Sequence, residues 1–128
     1  MFRVTAKTDY AVRALVEIAR HHPQPVKGRE IAEAQQLPYR FLAGTMTQLS
    51  RAGVLDARRG SGVECGYRLG RPPERISLGD IVLAIEGRIV DVRVGRDADA
   101  DALSSPVWAE IGSGVEAALD RISVADLV

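Results

Sequence analysis

The chain has one cysteine, Cys65, among 128 residues, and only 5% of its residues are aromatic. A single thiol excludes an internal disulfide framework and any zinc or iron–sulfur site built only from the cysteines of one chain. No apolar run approaches the roughly 18 residues of a membrane span, and the opening Met-Phe-Arg-Val-Thr lacks the pattern of a signal peptide. These absences predict a cytoplasmic protein with no membrane partner. No nucleophile–base pair, paired carboxylates or metal-binding constellation can be picked out, so an enzyme is not expected. His21 and His22 fall near a predicted helix C-terminus and suit the helix dipole better than a metal, because no acidic or cysteine partner stands at a recognisable spacing.

The formal net charge of +0 conceals a division. Residues 1–75 hold 13 Lys and Arg against 7 Asp and Glu, whereas residues 76–128 hold 4 against 10. A basic front joined to an acidic back concentrates the attraction for a polyanion on one part of the molecule, and phosphate attraction supplies most non-specific DNA affinity.

Apolar periodicity organises the basic front. Between residues 5 and 20, Val12, Leu15, Val16 and Ala19 recur at spacings of three and four and predict a buried helical stripe, with Thr5 or Thr8 as cap. His21-His22-Pro23 ends that helix. A shorter helix is predicted over residues 28–36, with Ile31 and Ala32 inward. Leu37 and Pro38 break it, and Pro38 suits the first position of a third helix reaching Ala52 and stopped by Gly53. The pattern is a helix-turn-helix.

At about 100° of rotation per residue, the third helix has two faces of different chemistry. Leu42, Thr45, Met46 and Leu49 fall inward, with Phe41 at the margin. Arg40, Gly44, Thr47 and Arg51 fall on the opposite side, with Ala43 and Gln48 at its edges and Tyr39 at the helix start. This outer face has two arginines, short polar groups and no acid. Arginine can read guanine or hold phosphate, Thr and Gln can bond base edges, and small residues allow close approach.

A wing follows. Val54-Leu55-Asp56-Ala57-Arg58-Arg59 reads as a strand, Gly60-Ser61-Gly62-Val63-Glu64-Cys65-Gly66 as a glycine-rich turn, and Tyr67-Arg68-Leu69 as the returning strand. Arg58 and Arg59 stand where the hairpin tip begins and can reach phosphates or a minor groove. No Gly-Lys-Ser/Thr ending follows, which argues against a phosphate-binding P-loop.

With these segments in order, the chain resembles the Rrf-two family of bacterial winged helix-turn-helix regulators. That family includes the iron–sulfur-cluster regulator and the nitric-oxide-sensing and cysteine-metabolism repressors. The resemblance rests on Thr8-Asp9-Tyr10-Ala11-Val12-Arg13-Ala14-Leu15, Ile31-Ala32-Glu33, Arg40-Phe41-Leu42, Leu49-Ser50-Arg51-Ala52-Gly53-Val54-Leu55 and Arg59-Gly60. It continues through Gly66-Tyr67-Arg68-Leu69, Arg71-Pro72-Pro73-Glu74, Ile76-Ser77-Leu78-Gly79-Asp80-Ile81, Ile85-Glu86-Gly87 and Ile122-Ser123-Val124-Ala125-Asp126-Leu127. The Gly-Tyr-Arg-Leu wing and the Ile-Ser-Leu-Gly-Asp-Ile run are its specific parts.

The resemblance implies a mainly α fold with a small β-hairpin: a winged helix-turn-helix domain over residues 1–75, then a fourth helix, an acidic loop and a long dimerisation helix over residues 76–128. The residues agree. Ser105-Pro106 reads as a helix start, and Trp108, Ile111, Val115, Ala118, Leu119 and Ile122 then repeat at spacings of three and four, a stripe that a second copy would cover. Ser77 with Asp80, and Ser123 with Asp126, have capping-box spacing and mark the starts of the fourth and last helices.

The departures bear on sensing. Relatives with a cluster carry three cysteines between the fourth helix and the dimerisation helix, and residues 92–102 here contain none. Asp9 occupies the place of an aspartate that some relatives use as a cluster ligand, but one carboxylate without thiolates cannot hold iron and sulfide. No cofactor is expected. Asp97, Asp99 and Asp101 resemble the opening of a calcium loop, yet Ala102 replaces its glycine and no closing Glu follows, so a solvated acidic loop is expected. The wing is longer than the usual Arg-Gly-x-x-Gly-Gly-Tyr and carries Cys65 at its turn. That makes Cys65 a candidate redox thiol near two arginines, with Glu64 opposing thiolate formation and a spectator thiol as the alternative.

These readings predict a homodimeric, sequence-specific regulator, a repressor in its most direct form, on a near-palindromic double-stranded operator and answering to an unidentified effector or protein partner. The alternative is a winged-helix module that binds a protein or small molecule without reading DNA.

Overall fold

The computed structural model describes residues 4–60, 62, 65–87 and 101–128, with the side chains of 101–105 and 108 outside that description. The elements run α1 (Ala6–His21), α2 (Gly28–Gln35), α3 (Tyr39–Arg51), β1 (Leu55–Arg58), β2 (Gly66–Leu69), a 3-10 turn (Pro73–Arg75), α4 (Leu78–Glu86), α5 (Asp101–Asp120) and α6 (Val124–Leu127). The architecture is mainly helical with one hairpin, a winged helix-turn-helix followed by a long helix.

Helix α1 starts at Thr5, whose hydroxyl accepts from the Thr8 amide at 3.2 Å. The Thr5 and Thr8 hydroxyls both donate to one Glu86 oxygen, tying the end of α4 to the start of α1. These bonds, Thr5's foremost, hold the Glu86 carboxyl below the ordinary carboxylate range. The buried arc of α1 is Ala11, Ala14, Leu15 and Ile18, whereas Val12 and Val16 of the predicted stripe are half-buried. The reason is tertiary: α2, α3, α4, α6 and β2 all pack on α1, so its buried surface is wider than one stripe.

The helix-turn-helix follows the expected order with one shift. Pro38 is extended, and its carbonyl accepts from the Leu42 amide at 3.1 Å, so it caps α3 rather than opening it. Leu42, Thr45, Met46 and Leu49 are buried as predicted. Phe41 is left 68% exposed.

The hairpin pairs antiparallel, with Leu55 opposite Leu69 and Arg58 opposite Gly66. Val26, between α1 and α2, adds a third edge by exchanging two backbone bonds of 2.8 Å with Tyr67. Gly66 must be glycine here. Its φ is +131°, and a Cβ would lie 2.6 Å from the Val26 carbonyl oxygen.

Residue 75 marks a change of charge rather than of packing. Ile81 and Ile85 of α4 and Val124 of α6 belong to the same core as Leu15, Ile31 and Leu49. Both predicted capping boxes are formed: Ser77 with Asp80, and Ser123 with Asp126, each exchange side-chain and backbone bonds. The two caps lie side by side, with Leu78 N donating to Ile122 O and Val124 N to Ile76 O, both at 2.8 Å.

Three expectations change, two of them in this half. Helix α5 begins at Asp101, and Pro106 lies inside it rather than at its start. An acidic first residue suits the positive helix end, and Ala102 and Leu103 are strong helix formers, so the helix extends back past the Ser-Pro pair. Ile122 lies beyond α5, in the turn before α6. His21 does have an acidic partner: its Nε2 lies 3.4 Å from Glu17, one helical turn earlier. Asp97 and Asp99 of the acidic loop lie outside the described residues, as does the side chain of Asp101.

Candidate nucleic-acid interface

Helix α2, helix α3 and the hairpin enclose a cleft of about 800 Å³. Tyr39, Thr47 and Arg51 of α3 meet Arg58 and Arg59 of the wing on its walls, and Cys65 lies at its edge. Lys27 and Arg29 complete, among the described residues, a set of five cations against one acid, Glu30. Asp56 does not neutralise the wing, because Arg68 claims it at 3.1 Å while Arg58 stands 4.0 Å away. Exposed pairs of this kind are worth at most about 1 kcal/mol, so Arg58 remains available to a phosphate.

Lys27, Arg29 and Tyr67 were not singled out by sequence reasoning. The signal for the two cations was the Lys27-Gly28-Arg29 run at the start of α2. That helix start has no side-chain cap, so its unpaired N–H groups and positive dipole end favour an anion at the cleft. Arg29 lies with its guanidinium carbon 4.9 Å from the centre of the Tyr39 ring, which holds both side chains at the rim. Gly28 keeps the wall thin: a Cβ would lie 3.2 Å from the Tyr39 ring and 3.4 Å from the Tyr67 ring. Burial pushes the Tyr67 phenol up, so it stays protonated and can donate.

The predicted reading face is not one surface. Thr47 and Arg51 face the wing-side cleft, and the Thr47 hydroxyl is held by the Ala43 carbonyl at 3.1 Å. Arg40 and Gly44 line a different hollow, against the start of α1. Gln48 turns toward α4, where it lines a pocket with Arg51, Arg71, Asp80 and Leu83 and its Oε1 is buried without a partner among the described residues. Where α4 packs decided this, and no local pattern in α3 carries that information.

Of the predicted dimerisation residues, Ile111 is 51% exposed, Val115, Ala118 and Leu119 are half-buried, and Ile122 is exposed. Trp108 has no described side chain. Val107 adds to the exposed apolar surface of α5. Asp9, the position matched to a cluster ligand, pairs with Arg13 at 3.2 Å. Among the described residues no three His, Cys, Asp or Glu side chains are grouped to hold a metal ion, and no helix is long and apolar enough to cross a membrane.

Residues 4–128 match the Rrf2 (Rrf-two) family model, described as an iron-dependent transcriptional regulator. The chain is 29% identical to the HTH-type transcriptional regulator IscR of Aliivibrio salmonicida, over 98% of this chain and 77% of that protein. It is also 29% identical to the HTH-type transcriptional regulator CymR of Bacillus subtilis, over 98% of this chain and 88% of the relative. Among solved structures, CymR, the global cysteine regulator of B. subtilis, superposes with a TM-score of 0.84 at 30% identity, covering 99% of this chain and 96% of the other. T. potens IscR superposes with a TM-score of 0.76 at 31% identity, covering 98% and 85%.

Proposed function

We propose, because the chain belongs to the Rrf2 family of winged helix-turn-helix transcriptional regulators, that it is a homodimeric repressor reading a near-palindromic operator through the cleft between α2, α3 and the wing. Members of this family are DNA-binding regulators and not enzymes, and the chain shares that general role. The observation that carries the finer reading is the cleft itself, where five cations from three elements converge around Thr47 and two tyrosines. Arg51 and Thr47 are the base readers. Lys27, Arg29, Arg58 and Arg59 hold phosphate. Arg40 and Gly44 contact the same duplex from the other flank of α3. Gln48 has no direct part.

The second half supplies the partner. Val107 is 55% exposed and Ile111 51% exposed on one helix, apolar area that a second copy would bury. A two-fold pair would set two reading heads on half-sites about 34 Å, or a multiple, apart.

The family description names iron, and the side chains here do not fit a conventional cluster. The chain has one cysteine. Cys65 lies on the wing-side cleft, while Asp9 is engaged by Arg13 on α1. Cluster ligation of the family's kind calls for thiolates this chain does not have, so the regulator acts without one. Protein purified without oxygen should then show no visible iron–sulfur absorption, and a stoichiometric cluster spectrum would overturn this part.

Selection of genomic fragments on the wild-type protein, followed by gel shift, tests the whole reading. A small set of related, inverted-repeat fragments is expected. Retention of all fragments alike would contradict sequence-specific regulation.

A further inference from the structure

The starts of α1 and α3 enclose a hollow of about 650 Å³ that no described residue of the wing lines. Ligand pockets commonly measure about 300–1,000 Å³. Its apolar walls are Tyr10, half-buried, and Phe41, which projects into water from the first turn of α3. Two cations, Lys7 of α1 and Arg40 of α3, line it, and among the described residues no acidic one does. The carboxylate behind Thr5, that of Glu86, is engaged by the Thr5 and Thr8 hydroxyls and attracts Lys7 only as a lesser, through-space effect. Gly44 leaves open space beside Arg40, since a Cβ there would meet nothing within 4 Å. A large aromatic side chain kept in water next to two cations is costly alone and complementary to one kind of guest.

We propose that this hollow binds a small aromatic carboxylate, its ring against Phe41 and Tyr10 and its carboxylate between Lys7 and Arg40. The chemistry is that of an effector site. A guest that engages Arg40 withdraws it from phosphate or base, so ligand and DNA compete, and reciprocity requires DNA to weaken the ligand equally. This consequence rests on Arg40 as a DNA contact; the binding itself does not.

The test uses the full chain labelled with nitrogen-15, titrated with benzoate and, as a neutral analogue, with benzyl alcohol. Saturable amide shifts are expected within residues 5–10 and 40–45, with benzyl alcohol at least about tenfold weaker, the usual worth of a charge-assisted bond. Lys7→Gln should lower benzoate affinity about tenfold and leave melting and DNA affinity unchanged. Benzoate should weaken wild-type binding to a selected genomic fragment, and the same weakening of Lys7→Gln should need about tenfold more benzoate. Equal binding of the two ligands, no saturable shifts, or shifts centred on residues 107–119 would overturn the proposal. So would loss of self-association in Phe41→Ser, which would show that a second copy fills the hollow. If benzoate binds as described and DNA affinity does not move, the site stands and the DNA role of Arg40 falls.

Discussion

Helices α3 and α5 are both long and both leave one face in water, yet the faces differ in kind. On the wing side α3 offers Thr47 and Arg51, with Arg40 on its other flank, while α5 offers Val107 and Ile111. A cationic face is stable in water and gains only when a polyanion arrives. An apolar one is unfavourable in water at every moment and is relieved by another apolar surface. On the proposed reading the same exposure means two partners: a duplex for α3 and a second copy for α5. The charge division between residues 1–75 and 76–128 follows the same line, even though one core runs through both parts.

The largest effect should come from charging the apolar face. Replacing Ile111 and Val115 together with Asp is expected to weaken self-association more than a hundredfold, since burial of each side chain is worth about 1.5–3 kcal/mol. Equilibrium sedimentation would show a monomer, and circular dichroism should show the winged half still folded. A dimer that survives would remove the contrast between the helices.

Next is the cationic face. Arg51→Ala and Arg59→Ala should each cost about 1–3 kcal/mol of DNA affinity without changing the melting temperature. Their signatures should differ: Arg51→Ala relaxes sequence preference, whereas Arg59→Ala lowers the salt slope by about one. Unchanged affinity in the double variant would show that the cleft does not read DNA.

Smaller effects test the frame that holds both faces. Ser77→Ala removes half of the capping box at α4 and should cost about 1 kcal/mol, a fall of a few degrees in melting temperature, with dimerisation and DNA affinity kept.

The smallest is a dependence on acid. Burial pushes the Glu17 carboxyl up, but hydrogen bonds from Gln35, His21 and Arg20 outweigh it and hold the group below its ordinary value of 4.5. A carboxyl lowered on folding contributes stability that is present above the unfolded value and lost as pH falls through the folded one. Thermal melts of the wild type should thus fall below about pH 4.5, and Glu17→Gln should fall less. Equal acid sensitivity would show that the Glu17 bonds linking α1 to α2 do not contribute.

What could be read from the sequence was what is decided within a few residues. Both capping boxes, the inward set Leu42, Met46 and Leu49, and the pairing of the two wing strands follow from local spacing and backbone chemistry. What could not be read depends on which distant segment arrives. Val26 pairs with Tyr67, and Glu17 accepts from Gln35 of the next helix. Gln48, placed at the edge of the reading face, lines a pocket with Arg51 and with Asp80 and Leu83 of α4, a neighbour that the spacing within α3 does not reveal. The candidate interface was legible as a set of residue types on α3 and the wing. Its division into a wing-side cleft and an α1-side hollow was not, because the packing of α1 and α2 around α3 makes that division.

The central claim is that the α3 cleft meets DNA and the α5 face meets a second copy in one assembly. Hydroxyl-radical footprinting of the wild type on a fragment selected from genomic DNA measures this most directly. Two symmetric protected patches are expected, their centres about 34 Å or a multiple apart. A single protected patch on a tightly bound fragment would contradict the account.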